Sequence, residues 1–136
     1  MTSTNRTAPC TIRDARQRLW TARAYLEVAE LVLGEDQEEY AGVAAGNAVL
    51  AGIAAADANC GKGLRRRFRG DDHRQAAELH ETTSSDGTRH RKTLLRLLDL
   101  KDAAHCGFGD FSKTEARKAV RLSRELVTGA DAFFEQ

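Results

Sequence analysis

Residues 38–60 read EEYAGVAAGNAVLAGIAAADANC, and the surroundings of this run decide the fold. Between Tyr40 and Cys60 the one charged residue is Asp57. A segment this long and this poor in charge is either a helix enclosed by other helices or a membrane span. Asn47, Asp57 and Asn59 interrupt the run, and such groups are costly in hydrocarbon, so the expected element is the central helix of a bundle. Gly42, Ala45, Gly46, Gly52 and Ala56 leave small surfaces on which a neighbouring backbone can approach closely. Such an approach offsets the helix cost of glycine, about 1 kcal/mol each. Gly42 and Gly46 are expected to serve a homodimer contact in the same way.

The flanking segments repeat the helical period. Leu19, Ala22, Leu26, Ala29 and Leu33 form one stripe, with Thr11 able to cap the start and Gly34 the end. The basic turn GLRRRFRGDDH leads to Asp71 or Asp72, either of which can cap a short third helix carrying Ala76, Ala77 and Leu79. After the loop TTSSDG, a fourth helix is predicted from Thr88 to about His105, with Leu94, Leu95, Leu97 and Leu98 as its apolar face and Gly107 as its stop. Ser112 and Glu115 form a capping box for a fifth helix, whose face is Ala116, Ala119, Val120, Ser123, Val127, Ala130 and Phe134. Pro9 is the only proline, and alanine and leucine outnumber the residues that favour strands. The expected fold is all-α: an antiparallel bundle of four to five helices over residues 11–136, behind a flexible arm at 1–10, with no strands.

Charge and cysteine usage bound the function. In 136 residues, 21 basic side chains nearly cancel 20 acidic ones, so no global field favours nucleic acid or a membrane. Cys10, Cys60 and Cys106 are odd in number and widely spaced, which suits a reducing cytoplasm better than a disulfide framework. Residues 1–9 lack the apolar core of a secretory signal, so the expected location is cytoplasmic and off the membrane. Cys60, His73, His80, His105 and Cys106 match no zinc spacing, and GKGLRRR lacks the strand that precedes a phosphate-binding loop. No metal or cofactor is expected.

The stretch most like chemistry is LKDAAHCG, residues 100–107. On a helix, Lys101 and Asp102 lie four and three positions before His105, so the three side chains converge. His105 extends the Leu94 and Leu98 stripe, which turns its ring toward the bundle. The pattern fits acid–base work by His105, and equally a histidine that complements the carbonyl end of its helix. Asp57 reads either as a catalytic carboxylate or as the partner of a cation from another helix. Arg65, Arg66, Arg67 and Arg69 around Phe68 can grip phosphates while the ring stacks on a base, or can stabilise the end of the second helix with Phe68 in the core. Arg89, His90, Arg91 and Lys92 stand at the wrong end of their helix for its dipole, for which anion binding is one explanation.

With Asp57 on an apolar second helix and a basic-acidic-x-x-His cluster near a helix end, the chain resembles HEPN domains, small all-α bundles of prokaryotic toxin and defence systems. LAGIAAADANC with GDDH, and LLRLLDLKDAAHCG, are similar to an actinobacterial group of stand-alone HEPN-like proteins, over roughly Arg13 to Phe134. The resemblance implies a homodimer that binds or cleaves RNA without a metal, with His105 working on a ribose 2′-hydroxyl and a nearby cation holding phosphate. It also implies an alternative: a noncatalytic module for a nucleotide or a protein, such as an antitoxin. The chain departs from the family's Arg-x4-6-His motif. Three residues separate Lys101 from His105, and eight separate it from Arg96. Lysine lacks the guanidinium fork, so this departure bears on cleavage more than on phosphate binding.

Overall fold

The computed structural model describes residues 7–69, 73–83, 86–106 and 111–136, except for the side chains of residues 102–106. Five helices pack in a bundle: α1 (Ile12–Leu33), α2 (Glu39–Leu64), α3 (His73–Glu81), α4 (Gly87–Cys106) and α5 (Lys113–Phe134). The two predicted caps form as capping boxes. The amide of Asp14 donates to Thr11 Oγ1 at 3.0 Å, and that of Glu115 donates to Ser112 Oγ at 3.1 Å. Each satisfies donors that a helix start leaves unpaired. Asp71 and Asp72, the expected caps of α3, lie outside the described residues.

The expected absence of strands is corrected. Thr7–Pro9 (β1) pairs antiparallel with Arg66–Phe68 (β2), Ala8 opposite Arg67, and the Cys10 amide donates to the Arg65 carbonyl at 2.9 Å. Residues 7–10 of the expected arm are therefore tied to the end of α2, and Cys10 is buried. The device that permits this is Arg65, which caps α2 in the left-handed conformation at φ 55° and ψ 28°. Glycine is the usual residue at such a cap. The turn sends the chain directly out of the helix and into β2.

α2 packs against the other four helices. It has the length and hydropathy of a membrane-crossing helix, yet two thirds of its apolar window is buried inside the bundle. Close approach is tightest at two of its glycines. A Cβ on Gly52 would stand 2.3 Å from Leu97 Cδ2, and one on Gly61 would stand 2.7 Å from both Ala15 Cβ and Cys10 Sγ. Gly42 and Gly46 are not used this way within the chain: the nearest atom to a Cβ on Gly42 is 4.0 Å away, and Gly46 faces open space.

The predicted faces of α1 and α5 are the ones that pack. Ala15, Leu19, Ala22 and Ala29 of α1 and Ala116, Ala119, Val120, Ser123, Val127 and Ala130 of α5 are buried. On α3 the buried stripe is Ala76, Ala77 and His80, whereas Leu79 is half-buried. α1 runs antiparallel to α2, matching Arg18 to Asp57, and α4 runs antiparallel to α5, matching Thr93 to Glu125.

Candidate functional site

The backbone of α4 stays helical through position 105, the condition for Lys101, Asp102 and His105 to share a face. The side chains of Asp102 and His105 lie outside the described residues. Lys101 is half-buried and lines a cavity of about 600 Å³ between the C-terminal half of α4 and the first half of α2. Val49, Leu50, Ile53, Leu100 and Phe111 form apolar wall, and His73 at the start of α3 joins Lys101 on the lining. The open space beside Gly46 belongs to this cavity.

Asp57 lies one helical turn beyond Ile53. Arg18 Nη2 donates to Asp57 Oδ2 at 3.0 Å, so the carboxylate has the interhelical cation partner that the sequence allowed for. Burial raises the carboxyl pKa above the ordinary range, while Arg18, and more weakly His73 and Arg67, pull it down. Asp57 is thus held by its ion pair with Arg18, one turn along α2 from the lining residue Ile53, and feels the charge of His73 more weakly.

The arginine run divides between a bonded residue and exposed ones. Arg66 donates to Thr7 Oγ1 through Nε at 3.1 Å and Nη2 at 2.8 Å, which spends its fork on β1. Arg65, Arg67 and Arg69 are exposed, and Phe68 is half-buried rather than tucked fully into the core. Alternation along β2 accounts for this split, since successive side chains of a strand point to opposite faces.

The sequence reading missed the polar centre of the bundle. Asn59, His80 and His90 are each at least 97% buried. The imidazoles of His80 and His90 stack with centroids 5.8 Å apart, and Asn59 Nδ2 donates to His80 Nε2 at 2.7 Å. That bond leaves the ring proton on His80 Nδ1, which has no partner among the described residues. Both nitrogens of His90 are also unpartnered there. A buried polar atom left unpaired costs about 1–3 kcal/mol, so the cluster calls for an explanation other than stability. Burial, reinforced by His90, lowers the His80 pKa to about 4. Burial and Arg89 lower that of His90. The signal in the sequence was positional: His80 continues the Ala76–Ala77 stripe, and His90 stands one turn before Leu94.

Burial pushes the Cys60 thiol up to about 12, which leaves it protonated and unreactive at neutral pH. Among the described residues, no three His, Cys, Asp or Glu side chains are grouped to hold a metal ion. No protein-family model matches the chain, and neither a curated protein nor a solved structure matches it.

Proposed function

We propose that the chain is a HEPN-like module that binds RNA or a free nucleotide at the C-terminal end of α4. The observation that supports this reading is the cavity there, which joins an apolar wall to Lys101 and His73. A nucleotide has the same division, a flat apolar base joined to a charged phosphate. A volume of about 600 Å³ suits one such unit. The base lies against Ile53, Leu100 and Phe111, and the Lys101 ammonium holds phosphate as a point charge. Asp57 stays paired to Arg18 and sets the local charge beside His73. In the cleaving form of this reading, His105 moves the proton of a ribose 2′-hydroxyl and Lys101 steadies the phosphate.

The test is fluorescence anisotropy with a labelled single-stranded RNA and with a labelled mononucleotide. Lys101→Ala is expected to weaken binding about tenfold, a loss of about 1.4 kcal/mol, and to flatten the salt dependence. Binding equal to that of the unaltered chain refutes the assignment. RNA incubated in EDTA with His105→Ala separates the two forms: cleavage lost with binding kept makes His105 catalytic, and an RNA left intact even by the unaltered chain restricts the protein to binding.

A homodimer belongs to the same reading. Tyr40, Val43 and Leu50 leave an exposed apolar stripe on α2 beside Gly42 and Gly46. Light scattering on Val43→Glu is expected to report a monomer.

A further inference from the structure

The geometry points to a second, separate site: a pocket at the N-terminal end of α4 that binds the phosphate group of a small hydroxylated ester, built on His90 with Arg121 at its mouth. The first turn of α4 and the last turns of α5 enclose a cavity of about 430 Å³, lined by Arg89, His90, Arg121, Arg124, Thr128 and Gln136. Asp86 and Glu125 add two carboxylates to its wall.

Three observations converge on an anion. The first is His90, which is 3% exposed, lines the cavity and has no hydrogen-bond partner for either ring nitrogen among the described residues. Packing rather than hydrogen bonding holds the ring. A Cβ on Gly129 would stand 2.5 Å from His90 Cε1, so a glycine in α5 makes room for the imidazole. A neutral ring held in this way can donate one N–H to a ligand oxygen.

The second observation is the helix itself. The first turn of a 20-residue helix places Arg89 and His90 on this lining, and a helix start is the positive end of the helix dipole. The third is the basic run Arg89-His90-Arg91-Lys92, whose position opposes that dipole. Its ion pairs are loose: Arg89 to Asp86 and Arg91 to Glu81 are both at 4.0 Å. A bound anion converts this arrangement from repulsive to attractive.

The arginines select phosphate. Arg124 is already engaged by Glu30, while Arg121 makes no ion pair among the described residues, which leaves its fork for two phosphate oxygens. Asp86 and Glu125 disfavour a bare anion and accept hydrogen bonds from hydroxyl groups, so the ligand carries hydroxyls next to its phosphate. A free sugar phosphate or nucleotide and the backbone of RNA share this chemistry.

The test is an NMR titration of the His90 Cε1–H resonance with inorganic phosphate, with ribose 5-phosphate and with a short single-stranded RNA. The groups that face the ring are Arg89 on its own helix, Asp86 just before that helix, Glu125 on α5 and His80 on α3. Against that background a bound phosphate is expected to raise the apparent pKa of His90 by about one unit. Ribose 5-phosphate binds more tightly than inorganic phosphate, and Arg121→Ala, an exposed change, weakens both about tenfold. Lys101→Ala leaves this titration unchanged, which separates the site from the cavity at the other end of α4. The RNA arm identifies the source: a shift at lower concentration than with the sugar phosphate assigns the site to a backbone phosphate, and a weaker one assigns it to a small ester. The proposal is overturned if the resonance fails to respond to all three probes at about 10 mM, or if Arg121→Ala responds as the unaltered chain does.

Discussion

The two ends of α4 are built on opposite principles. At the N-terminal end, a buried imidazole without partners among the described residues meets arginines and a positive helix terminus. At the C-terminal end, about 16 Å further along the axis, the cavity is walled by apolar side chains and carries Lys101 and His73. An anion at the first end is drawn by the backbone as well as by side chains. At the second end the dipole has the opposite sign, so a phosphate there relies on Lys101, and the apolar wall must supply the rest by contact with a base. On the two proposals, one helix offers a site defined by charge and a site defined by shape.

The contrast is broken most strongly by acid. His80, held at about 4 by burial, would have an ordinary value of 6.5 in the unfolded chain. Between these pH values the unfolded chain binds a proton that the folded chain refuses, so stability rises with pH across the window and is lost as pH falls from 6.5 to 4. The loss is about 3 kcal/mol, with His90 adding in the same direction, and should appear in thermal melting followed by circular dichroism. Asp57, whose pKa is raised, works against this trend, so the comparison is with His80→Leu, whose melting temperature should fall less on acidification.

Gly129→Ala comes next. It drives a methyl into the His90 ring and is expected to cost about 2 kcal/mol in chemical denaturation. Arg18→Ala removes the half-exposed partner of Asp57 and is expected to cost about 1 kcal/mol by the same measurement. Gly46→Ala is the smallest change and has the opposite sign. With open space around that position within the chain, the gain in helix propensity should stabilise the monomer, measured in the Val43→Glu background, by about 0.5 kcal/mol. A Gly46→Ala variant that destabilises as much as Gly129→Ala would show that both ends are equally packed and would remove the contrast.

The sequence alone determined the helices. Thr11 with Asp14, Ser112 with Glu115 and the apolar stripes of α1 and α5 act over three or four residues, so their outcome depends on side chains close together in the chain. The burial of most of α2 was legible for the same reason, because few charges along its length call for solvent, although Tyr40, Val43 and Leu50 stay exposed. Tertiary structure decided what those helices bring together: β1 against β2, Arg18 against Asp57, His80 against His90, and His73 beside Lys101. Each pair joins residues at least ten positions apart, and a stripe says which side of a helix turns inward without saying which neighbour it meets. The candidate sites were therefore visible as residues, Lys101 and the basic run at Arg89 among them, but their surroundings took form only once the helices had packed.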